Sequence, residues 1–435
     1  MSAAQSTKPV EHRVVLVTGA RGFIAGYIIA ALRGCGWCVV LGVRDEPRGP
    51  DERHCDLSKS ADAIDWPALL DGVDAVVNVA GILRESGRQR FDAIHHLGPL
   101  ALARACVARG VRDLVQISAL GSSSDGEFVA SKHRFDDALM EMPLRAVVLR
   151  PSIVYATGGS YGGTSLLRAL AASPGAVPVP GHGRWPVQPV CAEDLARLVV
   201  AVLDSGASGV FEVGGPRPIA LADWLLRWRR WLRIPGQRVL QIPEWAVDGV
   251  VGLGERLGRG PMGETMWRML KRGNICAPEA HGRLLATFGV APRDLDEVLA
   301  SSPSQVQDRW HARLYPVAPV LRWSIVVLWL LSGWIGLATP VYQLEDFVAA
   351  TPLAALAPVL LARSAGVADV LLVVWLASGW RPQAAIVAMT AMVLGYTLVF
   401  GLLAPALWLD PLGGLAKNLV VLPALAVLYV LSDRR

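Results

Sequence analysis

The charged residues of this chain are distributed too unevenly for a single soluble globule. The chain has 42 Lys and Arg and 37 Asp and Glu, yet only 11 of these lie in residues 321–435. A long segment of mostly apolar side chains with so few charges is stable in lipid rather than in water. The averages over all 435 residues, 53% hydrophobic and 18% charged, therefore combine two different segments. We predict an N-terminal globular domain over residues 12–315 and a C-terminal membrane domain over residues 320–435.

The C-terminal segment contains four apolar runs that are separated by charged or turn-forming residues. Residues 320–338 are long enough to cross a hydrocarbon layer of ~30 Å and carry Trp near both ends. Residues 347–362 are also apolar, but two prolines interrupt them, which favours a re-entrant or interfacial piece. We therefore predict a bundle of about four transmembrane helices, at residues 320–338, 366–380, 384–407 and 415–431.

The charges in the predicted loops indicate the orientation of the bundle. Arg381, Arg434 and Arg435 favour the cytoplasmic side, whereas Asp410 falls in an opposite loop. Residues 1–11 lack the apolar core of a secretory signal, and we predict that they are flexible. We expect a multi-pass protein of a bacterial-type inner (cytoplasmic) membrane, with the globular domain and the C-terminus facing the cytoplasm.

One carboxylate, that of Asp369, falls inside a predicted span. A charged side chain in lipid is costly unless it has a partner or lines a cavity, so one interpretation is a proton or ligand site. In the other interpretation the span begins near Asp369 and the side chain reaches the interface. The sequence leaves both interpretations open.

Several other functional classes are not favoured. The net charge of +5 does not indicate nucleic acid as a partner, because no basic stripe with interleaved aromatic residues is present; a cationic face toward anionic lipid explains it. The adjacent His95 and His96 lack further ligands at a metal-binding spacing, so we predict no metal. Six irregularly spaced cysteines indicate a reducing compartment. Cys35 and Cys38 are interpreted as structural rather than redox-active.

A glycine-rich turn joins the first predicted strand, residues 13–17, to a helix that continues to residue 32. Gly19 permits a tight turn and Gly22 lets the backbone approach a pyrophosphate, which then lies at the helix N-terminus. This order of strand, turn and helix predicts a dinucleotide site. Its predicted contact residues in the turn are Thr18, Gly19, Arg21, Gly22, Phe23 and Ile24.

The second predicted strand, residues 38–43, ends at Arg44, where Rossmann folds distinguish a ribose hydroxyl from a 2′-phosphate. Arg44 and Arg21 favour NADP(H) over NAD(H), although Asp45 weakens this preference. A third strand is not evident before Cys55. The residues predicted to line the adenine and ribose are Asp56, Leu57, Ala80 and Gly81.

Further strands at residues 75–79 and 113–118 alternate with helices at 91–109 and 132–140. This βαβ rhythm predicts an α/β fold with a doubly wound parallel sheet, and the ligand belongs at the carboxyl ends of the strands.

The motifs of the N-terminal domain resemble those of the extended and atypical short-chain dehydrogenase/reductases, which include NAD-dependent epimerases and dehydratases. The resemblance covers roughly residues 12–300 and rests on TGARGFIAG, VNVAGI, ISALG, LRPSIVYATGG, VQPVCAEDLARLVV and FEVGGPRPIAL, in that order. It implies a Rossmann-type domain with a small α+β substrate side, mainly residues 151–300. It also implies cofactor contacts at Pro151 and Ile153, and a substrate pocket near Tyr155 and His182, although His182 is equally consistent with a solvated loop.

In that family a Ser, a Tyr and a Lys act at the substrate carbonyl. Ser118 and Lys132 match this pattern, but Phe128 occupies the Tyr position four residues before the Lys. A phenyl ring cannot exchange a proton, and loss of an acid/base costs about 10² to 10⁴ in rate unless another group replaces it. The candidate replacements nearby in sequence are His133, Tyr155 and Tyr161.

A second departure places the chain in the atypical branch of the family: His95 stands where many extended members have Asn. That branch includes the NADPH-binding accessory subunit of respiratory complex I. The C-terminal segment is similar to the DoxX-like membrane family, through LRWSIVVLWLLSGWIGL and GVADVLLVVWLASG.

Residues 224–233 place three Trp on one helical face, which is typical of a membrane-surface helix or of a helix packed on the core. Residues 247–270 are a second candidate for a lipid- or substrate-facing stretch. Taken together, the sequence predicts a membrane-anchored NADP(H)-binding oxidoreductase acting on a quinone- or lipid-like substrate. The alternatives are a non-catalytic NADPH sensor or assembly factor, and a nucleotide-sugar epimerase or dehydratase.

Overall fold

The computed structural model describes residues 13–87, 89–256, 263–349, 351–409 and 414–433. The predicted flexible N-terminus and three charges used for the predicted orientation (Asp410, Arg434 and Arg435) lie outside these residues. The chain divides into two compact units, with the division between Ala312 and Arg313. We refer to them as the N-terminal unit and the C-terminal unit.

The N-terminal unit is built on β-strands, most of which belong to one sheet. The strands are β1 Val14–Thr18, β2 Cys38–Val43, β3 Glu52–His54, β4 Ala75–Asn78, β5 Asp113–Ile117, β6 Arg145–Pro151, β7 Val154–Tyr155, β8 Val177–Pro180, β9 Pro186–Val187, β10 Val190–Cys191, β11 Gly209–Val213, β12 Ile219–Ala220 and β13 Val239–Ile242. Seven of them form a parallel sheet in the order β11-β6-β5-β4-β1-β2-β3. The predicted doubly wound parallel sheet is confirmed.

Helices cover this sheet and make up much of residues 151–301. They are α1 Phe23–Gly34, α2 Trp66–Leu69, α3 Gly98–Arg109, α4 Glu127–Met140, α5 Gly163–Ala171, α6 Ala192–Ser205, α7 Leu221–Trp231, α8 Glu244–Arg256, α9 Glu264–Arg272, α10 Ala280–Phe288 and α11 Leu295–Ser301. A π-helical turn, Asp92–Leu97, precedes α3.

Side chains alternate between the two faces along each strand, and helices pack on both faces. The sheet is therefore buried on both sides. Val15 and Val17 of β1 pack in the cluster that contains Ile28 of α1, whereas Leu16 packs in the cluster that contains Leu102 of α3. This two-sided burial explains why the central strands read as continuous apolar runs. The edge strand β3 has the sequence Glu-Arg-His and therefore gives no such signal.

The Trp-rich helix α7 packs on the core. Trp224 and Trp228 are 0% and 1% exposed and lie against Tyr155 with ring centroids 6.2 and 6.1 Å away. The membrane-surface interpretation of this helix is therefore wrong, because its aromatic face is used within the N-terminal unit.

In the described part of the C-terminal unit, three helices are long and apolar enough to cross a membrane: α12 Val306–Ala338, which begins seven residues before the division between the units, α14 Pro358–Ser378 and α15 Pro382–Leu403. The shorter helices of this unit are α13 Val341–Val348 and α16 Asn418–Leu431. The fourth predicted span, 415–431, therefore contains a helix of 14 residues. Its length of about 21 Å is less than the ~30 Å thickness of a hydrocarbon layer.

Two prolines in this unit begin helices instead of interrupting them. Pro358 and Pro382 occupy the first helical turn of α14 and α15, where the missing N–H has no cost. Accordingly the second span begins at Pro358 rather than at residue 366, and residues 347–362 are not one interfacial piece.

Glycines allow α12 and α14 to approach closely. A Cβ built on Gly336 would lie 2.9 Å from the carbonyl oxygen of Ala362, and one built on Gly366 would lie 2.9 Å from that of Gly333. At the same crossing the Ser332 hydroxyl donates to Oδ2 of Asp369 at 2.6 Å. Asp369 is 4% exposed, so its carboxyl lies between the helices rather than at a helix end.

Candidate functional site

A cleft of about 230 Å³ lies at the carboxyl ends of the central strands, where the strand order reverses between β1 and β4. Open α/β sheets bind their ligands at this position. Polar side chains that the sequence prediction missed, Ser58 and Gln89, also line the cleft. The predicted residues that line it are Gly19, Arg21, Gly22, Arg44, Asp56, Leu57, Ala80 and Gly81.

The turn after β1 requires glycine at its first position. Gly19 has φ +63°, and a Cβ there would lie 2.9 Å from the Cα of Ala80. Gly22 is the N-cap of α1 and offers no side-chain cap, and the first turn of the helix contains no acidic residue. The N-terminal amides of α1 therefore present a positive potential to the cleft, which fits a phosphate group.

Thr18 is part of the sheet rather than of the cleft surface. Its hydroxyl donates to Oδ1 of Asn78 at 2.5 Å, and Nδ2 of Asn78 donates to Oε1 of Gln116 at 2.6 Å. The three side chains lie in register on β1, β4 and β5 and are at most 1% exposed. We call them the polar ladder. It fixes the three strands whose ends form the site.

The arginines at the mouth of the cleft differ in how they are held. Arg21 contacts Asp45 at 3.2 Å and Glu52 at 3.0 Å, whereas the side chain of Arg44 is 55% exposed and lies 3.6 Å from Asp45. A hydrogen bond from the Arg48 backbone and the Arg21 guanidinium lower the pKa of Glu52. Arg21 is thus held by carboxylates while Arg44 faces solvent beside the cleft.

Lys132 and His95 are buried at the end of the cleft near Gly81. A Cβ built on Gly81 would lie 3.5 Å from both Lys132 Nζ and His95 Nε2. Lys132 Nζ donates to the Ile117 carbonyl at 3.0 Å, and burial lowers the pKa of Lys132 to about 8. The ammonium group is therefore close to losing its proton under ordinary conditions.

His95 is a neutral structural link in this arrangement. The Ile82 backbone N–H donates to its Nε2 at 3.0 Å, which assigns the ring proton to Nδ1, 3.0 Å from Ser131 Oγ. Burial, together with the positive charge of Lys132, lowers the pKa of His95 to about 2. His95 thereby holds the loop after β4 against α4.

The predicted catalytic Ser118 is engaged inside the unit. Its hydroxyl donates to Oδ2 of Asp136 at 2.7 Å, and Arg150 Nε donates to the same oxygen at 2.9 Å. Burial raises the pKa of Asp136. The Ser118 hydroxyl is therefore bonded to Asp136, one turn beyond Lys132 on α4.

Phe128 belongs to an aromatic cluster at the same end of the cleft. Its ring centroid lies 5.5 Å from that of His95 and 6.1 Å from that of Phe91, both edge-on, and 5.8 Å from Lys132 Nζ. The half-buried ring lies beside Lys132 but offers no proton.

The three candidate replacements for the missing Tyr lie in different surroundings. Tyr155 is 1% exposed in the core, and burial raises its pKa. His133 Nε2 is bonded to the Ala119 carbonyl at 3.0 Å. Tyr161 is 55% exposed and stacks on Phe23 with ring centroids 6.2 Å apart. Of the three, only Tyr161 has a solvent-exposed side chain.

The remaining predicted contact residues lie away from the cleft. Ile24 packs on the core, Ile153 packs on the cluster around α7, and the Pro151 carbonyl accepts a hydrogen bond from the Leu120 N–H. His182 is exposed, and its ring lies 6.0 Å from that of Trp185. Within the described residues no group of three or more His, Cys, Asp or Glu side chains is placed to hold a metal ion.

Comparison with known proteins identifies both units. Residues 15–214 match the NAD dependent epimerase/dehydratase family, and residues 326–428 match the DoxX-like family. The chain joins an epimerase/dehydratase-family domain to a DoxX-like domain. The resemblances inferred from the sequence are thereby confirmed.

Among the curated relatives, two reductases match about half of the chain. A ceramide reductase of Caulobacter vibrioides is 29% identical over 209 residues, which cover 47% of this chain and 65% of that protein. A 3-diazoavenalumate denitrifying reductase of a Streptomyces species is 29% identical over 261 residues, which cover 52% of this chain and 84% of that protein. The chain thus spans less than two thirds of the ceramide reductase.

Among solved structures, the ADP-L-glycero-D-manno-heptose-6-epimerase of Helicobacter pylori is 13% identical, with a TM-score of 0.52 over 68% of this chain and 97% of that one. At this identity the likeness shows the fold alone. The fold implies a nicotinamide dinucleotide as cofactor, and the uncapped N-terminus of α1 and the glycine contact at Ala80 fit its pyrophosphate.

Proposed function

We propose that this protein is a membrane-anchored, NADP(H)-dependent oxidoreductase with an apolar, lipid- or quinone-like substrate. The observation that carries the proposal is that the described residues of one chain contain both a dinucleotide-type cleft and three helices of membrane-spanning length. Both reductase relatives favour reduction over epimerisation, and the name of one of them specifies a lipid. We further propose an inner-membrane location with the N-terminal unit on the cytoplasmic side.

Each part of the cleft has a distinct task in this proposal. The turn at Gly19 and the N-terminus of α1 hold the pyrophosphate, and Arg44 pairs with a 2′-phosphate. A reduced nicotinamide supplies a hydride when it is bound. Lys132 is the buried cation at that end of the cleft, and with a pKa of about 8 it is protonated at pH 7 and able to donate a proton.

The preference for NADP(H) is tested by nucleotide binding to the full chain in lipid nanodiscs. We expect NADPH to bind at least about tenfold more tightly than NADH, since a charge-assisted contact to phosphate contributes roughly 1.5–3 kcal/mol. Arg44→Ala should remove the difference and leave NADH binding unchanged. Equal affinities in the unsubstituted protein contradict the assignment.

The redox activity is tested by NADPH oxidation with long-chain and short-chain quinones and with lipid ketones. Absence of turnover with all of them, together with tight NADPH binding, would favour the non-catalytic sensor or assembly factor, which the phenyl ring of Phe128 also favours. Conversion of a nucleotide sugar without net NADPH oxidation would instead support the epimerase alternative.

Phe128 occupies the position of the family's catalytic tyrosine, and a tyrosine introduced there tests whether another group already serves as the acid/base. Phe128→Tyr should raise turnover if the acid/base is absent, by up to about 10² to 10⁴. A fall would show that another group already serves, and Tyr161→Phe then identifies it by its own loss of rate. Phe91→Tyr is the matched control because it adds a hydroxyl to the neighbouring ring of the same cluster.

A further inference from the structure

Helix α8 carries large apolar side chains that are exposed within the described structure. Trp245, Val250 and Leu253 are 77%, 65% and 58% exposed. Trp245 and Leu253 share one face of the helix with Gly249 and Gly252, because residues spaced by four, seven and eight positions lie on the same side. We call these four residues the α8 face.

The opposite side of α8 fixes the helix to the N-terminal unit. Val251 and Gly254 are buried, and Val251 belongs to the same apolar cluster as Trp267 of α9. Trp267 Nε1 also donates to Oδ1 of Asp248 at 2.6 Å. Helix α8 is therefore packed on the N-terminal unit, and this packing fixes the orientation of the α8 face.

Two carboxylates border the α8 face, and both accept hydrogen bonds. Asp248 and Glu255 lie on an edge of the helix, about 60–80° from Trp245 at 100° per residue. Lys271 Nζ donates to Asp248 at 3.1 Å, and the backbone N–H of Glu264 donates to Glu255 at 2.9 Å. Arg256, eleven positions after Trp245, is exposed on the same side of the helix, so the C-terminal end of the α8 face carries a positive charge.

We propose that the α8 face inserts into the headgroup region of the bilayer in which the chain is anchored. Trp, Leu and a flanking Arg are the side chains that favour this zone. The anchoring helices keep the N-terminal unit near lipid at a high effective concentration, so a small apolar face is sufficient. A stable contact with a second protein needs roughly 20–30 residues per side, far more than one helix face offers. This inference does not depend on the redox proposal.

The test places the photocrosslinking residue p-benzoylphenylalanine at position 245 or 253 of the full chain, in nanodiscs of phosphatidylglycerol and phosphatidylcholine. The matched control is position 285, because Leu285 of α10 is 55% exposed on another helix of the same unit. After irradiation, mass spectrometry should find lipid adducts at 245 and 253 about tenfold more often than at 285. Equal yields at the three positions, or crosslinks to a second chain instead of lipid, would overturn the proposal.

A second measurement covers the case in which the substituted chains are poorly folded. Amide hydrogen exchange across α8 should be slower in nanodiscs for the unsubstituted chain than for Trp245→Glu/Leu253→Glu. Retained NADPH binding serves as the check of fold, since neither residue lines the cleft. Identical exchange in the two proteins would also overturn the proposal.

Discussion

Replacing Lys132 by Met should stabilise the N-terminal unit at neutral pH. Burial lowers the pKa of this lysine from its ordinary 10.5 to about 8, and that difference corresponds to about 3 kcal/mol of destabilisation while the lysine is charged. The substitution also removes the hydrogen bond to the Ile117 carbonyl, a loss of about 1 kcal/mol. We expect a net gain of about 2 kcal/mol, or roughly 4 °C in the melting temperature of the unit.

The dependence on pH distinguishes this explanation from general repacking. Below pH 8 the lysine is protonated in both the folded and the unfolded protein, so the penalty is present in full. Between about pH 8 and 10.5 the folded protein has released the proton while the unfolded chain retains it, and wild-type stability rises with pH. The advantage of Lys132→Met should shrink through this window.

Thermal unfolding of the full chain in detergent, followed by near-ultraviolet circular dichroism from pH 7 to 10, measures both effects. Lys59→Met is the matched control, because Lys59 is an exposed lysine of the same unit. A lower melting temperature for Lys132→Met at pH 7, or an advantage that does not change with pH, would refute the reasoning.

Three further substitutions test the site and the membrane unit. Gly19→Ala forces a side chain into a left-handed backbone and should weaken NADPH binding about tenfold or more in a titration. Its control is Gly26→Ala, because no heavy atom lies within 4 Å of the added Cβ. The control should leave NADPH binding unchanged and leave the stability of the fold unchanged or slightly increased. Asn78→Leu breaks the polar ladder and should lower stability by about 1–3 kcal/mol, measured by the urea midpoint. Gly366→Leu separates α12 from α14 and should lower resistance to unfolding in sodium dodecyl sulfate by about 1–3 kcal/mol, while Gly395→Leu, at an open position, should not.

The fold was predictable where burial of a strand requires a continuous run of apolar residues. The central strands are enclosed on both faces, so they appear in the sequence as short β-branched runs. The edge strand β3 has polar side chains and no such run, and it was therefore missed. In the C-terminal unit, Pro358 was interpreted as an interruption, although a proline at the start of a helix is equally compatible with its chemistry.

The site was predictable where local backbone geometry dictates a residue, as at Gly19. It was not predictable where a side chain forms a hydrogen bond to a residue that is distant in the sequence. Thr18 was assigned to the cofactor, but pairing of three strands places it beside Asn78. Likewise Ser118 meets Asp136 only because β5 lies against α4, which no spacing in the sequence reveals.

The parallel sheet is completed early in the chain, and this has a consequence for biosynthesis. Its last strand ends at Val213, about 90 residues before α12 begins at Val306. At roughly 5–20 residues per second, the ribosome needs on the order of 5–20 s to cover that distance, ample time for a domain to fold. Ribosome-bound chains stalled near residue 300 should therefore already be retained by an immobilised NADPH analogue, and failure to bind would contradict this order of events. The insertion machinery would then receive its first apolar helix from a nascent chain whose N-terminal part is already folded and resists being threaded through a translocation pore.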